Sequence, residues 1–259
     1  MAVFISASDE SSGATQVDDY QCTGWIAPEP DWSQFFAPAW QKRVLDGPPK
    51  IEYLHVTEMR SRTWREKNGL TRLDADNRMD EAGKIIAEMK SLYPVKIKVS
   101  GVRFQQLFNP HQLLAGSGGR KRYEPDYYPF VIYAFVVLNR VKIRFPNAEK
   151  VDFIVERKSS LTTHIQEFYE SLPTALKHVN REDLLPLMGD FIPASKERVP
   201  LQAADFLCWH SRRADARMLD ETDMRRWNPM AKKKGFNFTA PERLMASLAE
   251  AFTARSGGK

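Results

Sequence analysis

The sequence predicts an α/β fold in which helices flank a sheet, in one domain that spans residues 1–259. Hydrophobic residues make up 42% of the chain and charged residues 27%. These values lie close to globular averages and exclude disordered, collagen-like and fibrous classes. A chain of 259 residues can bury roughly 70% of the surface that its unfolded form exposes. Short apolar segments alternate with longer amphipathic ones, and no internal repeat or domain-boundary linker interrupts them.

The first elements are a strand pair and a helix. Residues 3–8 are apolar with small residues between them, which predicts a buried strand that ends at Asp9. Residues 20–27 follow a turn of small residues and are expected to return as an antiparallel partner. Asp31 is expected to cap a helix over residues 32–45, because large apolar side chains recur there at helical spacing until Gly47, Pro48 and Pro49.

Short strands and amphipathic helices are predicted for the rest of the chain. We expect a short strand over residues 51–56, followed by a helix that Thr57 caps near Glu58. A second helix over residues 74–92 is expected to end at Pro94, and residues 95–104 read as a strand. Residues 127–138 are predicted to be a buried helix, because twelve apolar-rich residues are long for a strand. The remaining predictions are a strand at 151–156, a helix at 162–179, a short edge strand at 191–193, a helix at 201–213 that begins with Pro200, and a terminal helix at 241–253.

The sequence predicts a cytoplasmic protein that does not contact the membrane. The most apolar stretch, residues 129–138, is about half the length that a bilayer-spanning helix needs. Residues 1–13 lack the basic region of a secretory signal. Cys22 and Cys208 lie far apart and outside any zinc-binding spacing, so both are expected to be reduced, buried thiols.

Three acids occupy unusually apolar surroundings. Asp9 ends one apolar strand, Glu156 ends another, and Asp205 lies within the apolar helical segment 201–209. Burying an ionised carboxylate costs several kcal/mol unless a cation or hydrogen-bond donors compensate it. Because Mg²⁺ and Mn²⁺ prefer oxygen ligands, three such carboxylates together predict a shared divalent ion.

Each acid also has a structural interpretation that the sequence leaves open. Asp9 fits a turn-capping residue. Glu156 has Arg157 and Lys158 as neighbouring cations. The structural partners that the sequence offers to Asp205 are Gln202, Arg212 and Arg213.

Four segments, in this order, carry a resemblance to a known family. They are residues 4–13, 53–58, 151–156 and 200–205, the last followed by Trp209 and Arg213. Together they are similar to the domain-of-unknown-function family 3800 over nearly the whole chain. This family resembles the ribonuclease H-like superfamily, which implies a mixed sheet flanked by helices, here with helical insertions.

The resemblance also implies a set of catalytic acids. The superfamily places an Asp on the first strand, a Glu on a helix, a third acid on a central strand and a last acid on a late helix. Carried over, these are Asp9, Glu58, Glu156 and Asp205. Two departures are an additional Ser12 before the family's glycine, and Glu156 where the family often has Asp.

Such a set suits two-metal phosphoryl transfer, in which carboxylates bridge two ions that activate water and neutralise the leaving oxygen. Asp9 would bridge the ions, with Glu156 and Asp205 on either side as metal ligands. His55 lies three residues before Glu58, and it fits a proton shuttle, a metal ligand or a hydrogen-bonded core histidine. Gln202, one helical turn before Asp205, would position that carboxylate or contact substrate.

Basic runs predict nucleic acid as the polyanionic partner, although such runs are also typical of solvated surfaces. The net charge is +5. The runs are Arg120, Lys121 and Arg122 after a glycine-rich segment, Arg212 and Arg213, Arg225 and Arg226 before Trp227, and residues 232–234 before Phe236 and Phe238. Clustered cations with aromatic residues hold phosphates and stack bases.

The sequence therefore predicts a metal-dependent nuclease, and a non-catalytic nucleic-acid-binding adaptor is the alternative. The loop over residues 116–122 is expected to close over the substrate. Phosphate-loop, zinc-protease, nucleophile-elbow and dinucleotide-binding motifs are absent from the sequence. The choice between DNA and RNA stays open.

Overall fold

A mixed sheet of six strands organises the described part of the chain. The computed structural model describes residues 2–11, 19–108, 128–157 and 161–256. The strands are β1 (Ala2–Ser11), β2 (Tyr20–Pro28), β3 (Tyr93–Val99), β4 (Ala148–Glu156), β5 (Met188–Ala194) and β6 (Phe236–Thr239). Their order across the sheet is β5-β4-β1-β2-β3-β6. Strand β2 runs antiparallel to β1 and β3, whereas β4 runs parallel to β1 and β5. The α/β class with a mixed sheet is therefore confirmed.

Helices cover both faces of this sheet. A helical segment comprises a π-helical turn (Asp31–Phe36), α1 (Ala37–Trp40) and a second π-helical turn (Gln41–Leu45). The other helices are α2 (Val56–Arg60), α3 (Arg62–Lys67), α4 (Arg72–Glu88), α5 (Gly101–Phe108), α6 (Tyr128–Arg144), α7 (Leu161–His178), a 3₁₀ turn (Glu182–Leu187), α8 (Val199–Asp215), α9 (Glu221–Ala231) and α10 (Glu242–Ser256). Within the described ranges, none is both long and apolar enough to cross a bilayer.

Alternate residues of the central strands point into two different layers. On one face, Tyr133 of α6 packs in the larger core, and its hydroxyl lies 2.9 Å from the hydroxyl of Ser6. On the other face, the indole nitrogen of Trp25 donates to the backbone oxygen of Ala203 in α8, at 2.9 Å. The residues of β1 that alternate with Ser6, including Ala7, therefore face α8.

Most predicted elements are present, and the differences have physical reasons. The strands at 3–8, 20–27, 151–156 and 191–193 and the helix at 127–138 are confirmed. Residues 51–55 form no strand and lead into α2, which begins at Val56. The backbone N–H of Leu54 donates to the side chain of Gln202 in α8. Cys22 and Cys208 are buried and form no disulfide.

Several predicted boundaries are wrong. Asp31 and Thr57 lie inside their helical segments and are not caps. Helix α4 begins two residues earlier than predicted, because Thr71 and Asp74 cap it reciprocally. It ends at Glu88, and Pro94 instead lies within β3. Strand β3 ends at Val99, after which residues predicted to extend it form α5. The sequence patterns did not predict α3, α9 or β6.

A buried histidine gives the fold a pH dependence. His210 of α8 is fully buried, and its Nδ1 lies 2.7 Å from the backbone oxygen of Phe206. Burial, together with three nearby guanidinium groups, lowers the pKa of its imidazole to about 4. In the unfolded chain this histidine has an ordinary pKa of about 6.5. Between the two pKa values it is therefore protonated in the unfolded state and neutral in the folded state. The contribution of His210 to the free energy of unfolding is therefore fully present above pH 6.5, and it is lost as the pH falls from 6.5 towards 4.

We expect the free energy of unfolding to be lower at pH 5 than at pH 7 by about 2 kcal/mol because of His210. Urea titrations of the wild type and of His210→Gln at both pH values measure this difference. The variant should lose that part of the pH dependence, whereas His178→Gln at an exposed helix position should retain it. Equal pH dependence in the wild type and His210→Gln would contradict the assignment.

Candidate functional site

The three acids singled out in the sequence line one cleft on the α8 side of the sheet. The cleft has a volume of about 880 Å³, and Asp9, Glu156 and Asp205 form part of one end. Asp9 lies near the end of β1 and Glu156 is the last residue of β4, and these two strands pair in parallel. Helix α8 packs on the same face of both strands, which places Asp205 opposite the two strand carboxylates.

Helix α8 also positions the segment that carries the fourth acid, Glu58, which lies beside the cleft and is not one of its lining residues. The side-chain oxygen of Gln202 accepts from Trp40 Nε1 at 2.8 Å and from the backbone N–H of Leu54 at 2.9 Å. One turn later, Asp205 Oδ2 accepts from the backbone N–H of Val56 at 2.8 Å. These bonds hold the start of α2 against α8, and α2 carries Glu58.

Gln202 is therefore a structural residue of the site. Its side chain is 2% exposed, and besides accepting two bonds it donates to the backbone oxygen of Glu197 at 3.2 Å. Its amide has little hydrogen-bonding capacity left for a ligand. The structure favours the positioning role for Gln202 over the expected substrate contact.

His55 lies among the acids and is not a core histidine. Its side chain is 26% exposed, and its Nε2 lies 3.4 Å from Asp205 Oδ1. Its Nδ1 lies 3.8 Å from Glu58 Oε1 and has no hydrogen-bond partner in the described part of the chain. Burial, and next the charge of Lys196, lower the pKa of the imidazole, although three carboxylates oppose the shift. A neutral imidazole thus faces the acidic end of the cleft.

Lys196 is a site residue that sequence reasoning missed. It lies in the short connection between β5 and α8, and its Nζ is 3.4 Å from Glu58 Oε1 and 3.9 Å from Glu156 Oε1. The ammonium also lies 5.8 Å from the ring centroid of Tyr53. A single lysine in a polar connection has no periodicity or motif to single it out, so only the fold reveals it.

The other end of the cleft is cationic. Arg212, Arg213 and Lys98 line it together with Trp209, and the sequence analysis had not predicted Lys98. The Arg213 guanidinium lies 4.8 Å from the indole centroid of Trp209 and donates to the backbone oxygen of Met218 at 2.6 Å.

Two acids that also line the cleft, Asp19 and Asp215, partly offset these charges. The Asp19 carboxylate lies 3.4 Å from the ammonium of Lys98. Asp215 lies 2.7 Å from the ammonium of Lys96 and 3.1 Å from that of Lys98. The side chain of Lys96 is mostly buried. At this end, Lys98, Arg212 and Arg213 are the cations that line the cleft.

In the remaining basic runs, Arg226 and Lys233 are engaged within the protein, whereas Arg225, Lys232 and Lys234 are exposed. Arg226 is buried and pairs with Asp76, Asp80 and Asp223, so it joins α9 to α4 and is not available to a ligand. Lys233 donates to the backbone oxygen of Met89 at 2.6 Å, near the end of α4. The predicted loop with Arg120, Lys121 and Arg122 lies outside the described residues.

The donor chemistry of the acidic end fits a hard divalent ion. It offers carboxylate oxygens from four separate elements, and Glu58 Oε2 is buried without a hydrogen-bond partner among the described residues. In the same part of the chain, no group of three or more His, Cys, Asp or Glu side chains has the spacing of a formed metal centre. The side chains would therefore have to draw together around an ion.

Comparisons with protein-family profiles, with curated proteins and with solved structures find no match to this chain. Its function is therefore inferred from the side chains that line the cleft.

Proposed function

We propose that this protein is a divalent-metal-dependent nuclease with a ribonuclease H-like fold. The observation that carries the proposal is that Asp9, Glu156 and Asp205, from β1, β4 and α8, line one cleft. Glu58 of α2 lies beside them, 3.4 Å from the Lys196 ammonium that also approaches Glu156. The mixed sheet supports it, since the acids lie on the first strand, on a helix, on the neighbouring interior strand and on a late helix. These are the positions that the family resemblance implies.

The carboxylates of Asp9, Glu156 and Asp205 would hold Mg²⁺ or Mn²⁺, with Glu58 close by. When bound, such an ion makes water a stronger nucleophile and stabilises charge on a phosphate oxygen. His55, which faces these acids as a neutral imidazole, is suited to accept a proton from the attacking water. Its Nδ1 has no hydrogen-bond partner among the described residues, so this nitrogen can accept the proton while Nε2 lies 3.4 Å from Asp205.

The cationic end supports nucleic acid as the substrate. Lys98, Arg212 and Arg213 line the same cleft as the acids, so a phosphodiester chain placed across the acids would extend towards these cations. Contacts of this kind hold phosphates without reading the base sequence. The same arrangement accommodates DNA or RNA.

A non-catalytic nucleic-acid-binding adaptor is the second candidate. The observation that favours it is the internal pairing of the acids, since Lys196 lies beside Glu58 and Glu156 and the backbone N–H of Val56 donates to Asp205. An adaptor of this type would use the same acids only to hold α2, β4 and α8 together. It would bind nucleic acid equally well with and without divalent ions.

The test combines metal binding with cleavage. Thermal melts in Mn²⁺ and in EDTA should differ, because an ion at 100 times its dissociation constant adds about 2.7 kcal/mol to the stability of the folded state. The EDTA-treated protein should leave single-stranded, duplex, hybrid and branched substrates intact, and added Mn²⁺ should restore cleavage of at least one. Identical melts over a wide ion range, together with no cleavage, would favour the adaptor.

A further inference from the structure

The ammonium of Lys196 lies between two of the site carboxylates, Glu58 and Glu156. Its distances of 3.4 Å to Glu58 and 3.9 Å to Glu156 exceed the roughly 2.7–2.9 Å of a strong charge-assisted hydrogen bond. The lysine thus neutralises both carboxylates through its electric field without a short bond to either. Because both contacts are long, another cation can replace the Lys196 ammonium at a small cost in free energy.

The surroundings of Lys196 give the displaced ammonium another place to go. Its side chain is 37% exposed and lines the same cleft as Asp9, His55 and Asp205. The ring of Tyr53 lies 5.8 Å away, within the range of a cation–π contact. A flexible four-carbon stem on a short connection lets the charge move out towards solvent or towards a phosphate in the cleft.

The carboxylates of Glu58 and Glu156, in contrast, are stabilised by a nearby positive charge, either an ammonium or a metal ion. The side chains of Glu58 and Glu156 are 25% and 17% exposed. Two partly buried carboxylates close to one ammonium repel each other when that ammonium is removed. One of the two, Glu58, also has its second oxygen buried without a hydrogen-bond partner in the described ranges, so Lys196 satisfies it only in part.

We propose that Lys196 is an internal cation that competes with the divalent ion for Glu58 and Glu156, and that it sets the metal affinity of the site. This inference rests on the proposed function. Lys196 is a positioning residue in this role: it holds the two carboxylates in place before metal binding and leaves them when the ion enters. A lysine with a purely structural role would have the opposite effect on metal affinity, since its loss would loosen the site.

The experiment measures Mn²⁺ binding by isothermal titration calorimetry on the EDTA-stripped full chain. Lys196→Met removes the charge and keeps the volume, and it should tighten Mn²⁺ binding tenfold or more, which corresponds to about 1.4 kcal/mol. Lys196→Arg keeps the charge and should bind Mn²⁺ like the wild type. Without metal, Lys196→Met should melt at a lower temperature, because the repulsion between Glu58 and Glu156 is then no longer offset by this ammonium.

Lys150 provides a matched control outside the cleft. Its side chain is 38% exposed, and its Nζ lies 3.1 Å from Asp152 and 3.0 Å from Asp190, so it also pairs with two carboxylates. Lys150→Met should leave Mn²⁺ affinity unchanged. If the wild type binds Mn²⁺ and Lys196→Met binds it no more tightly, the competition is wrong while the metal site stands. If neither protein binds Mn²⁺, the proposed function fails as well.

Discussion

We expect Asp9→Asn to lower the cleavage rate a thousandfold or more while leaving the fold and nucleic-acid affinity intact. Asparagine has nearly the shape of aspartate, so the end of β1 should keep its packing. It lacks the negative charge that the proposed ion needs at the centre of the acid set. Losing several kcal/mol of transition-state stabilisation has this effect on rate, because each 1.36 kcal/mol is about tenfold.

The measurement compares cleavage by the wild type and Asp9→Asn in Mn²⁺, on the substrate that the wild type cuts best, at equal fractional binding. Asp190→Asn is the matched control, because Asp190 lies on the edge strand β5 with a largely exposed side chain that pairs with Lys150. That variant should cleave at the wild-type rate. Equal cleavage by the wild type and Asp9→Asn would remove Asp9 from the catalytic set and would contradict the nuclease proposal.

The second large effect concerns stability and requires no assumption about function. Gly24 of β2 pairs with Ser8 of β1, and a Cβ at this glycine would overlap the backbone oxygen of Ala7 and the hydroxyl of Tyr133. A backbone oxygen in a central strand cannot move aside without separating β1 from β2. We expect Gly24→Ala to lower the free energy of unfolding by about 3 kcal/mol or more, since overpacking a core costs typically 1–3 kcal/mol and strand pairing is lost as well.

Urea denaturation measures this change, and Gly83→Ala is its control. A Cβ at Gly83, in α4, would have its nearest neighbours at 3.7 Å, an ordinary contact with Arg226. Alanine also has the higher helix propensity, so Gly83→Ala should leave stability unchanged or raise it by up to about 1 kcal/mol. If Gly24→Ala were as stable as the wild type, the tight packing of β1, β2 and α6 at this point would be wrong.

The acids at the strand ends could be predicted, because apolar runs define where a buried strand stops. Asp9 and Glu156 follow such runs directly, and Asp205 interrupts an apolar helix face, so each is conspicuous in its own segment. Residues 51–55 were predicted wrongly as a strand because apolar and polar residues alternate there in part, as in a strand. What decides their conformation is Gln202, which binds the N–H of Leu54 from 148 residues away.

Charge runs were the least informative pattern. Arg225 and Arg226 are adjacent in sequence, yet Arg225 is exposed and Arg226 is buried among aspartates, because neighbouring residues of a helix point in directions about 100° apart. Lys98 and Lys196, which do line the cleft, come from a strand and a short connection. Neither belongs to a basic run, so only the tertiary structure places them beside the acids.

The hydrogen bond between Asp205 and the backbone N–H of Val56 affects the order in which parts of the protein fold during synthesis. It joins residues 149 positions apart, and Gln202 makes two further bonds of similar sequence separation. On the ribosome, the acids of β1, α2 and β4 emerge long before α8, so the start of α2 has no anchor until late in synthesis. Such distant contacts form slowly. A partly synthesised chain that ends before α8 therefore has Asp9, Glu58 and Glu156 but neither Asp205 nor the assembled cleft. The proposed metal and nucleic acid would meet a competent site only after the last third of the protein has folded.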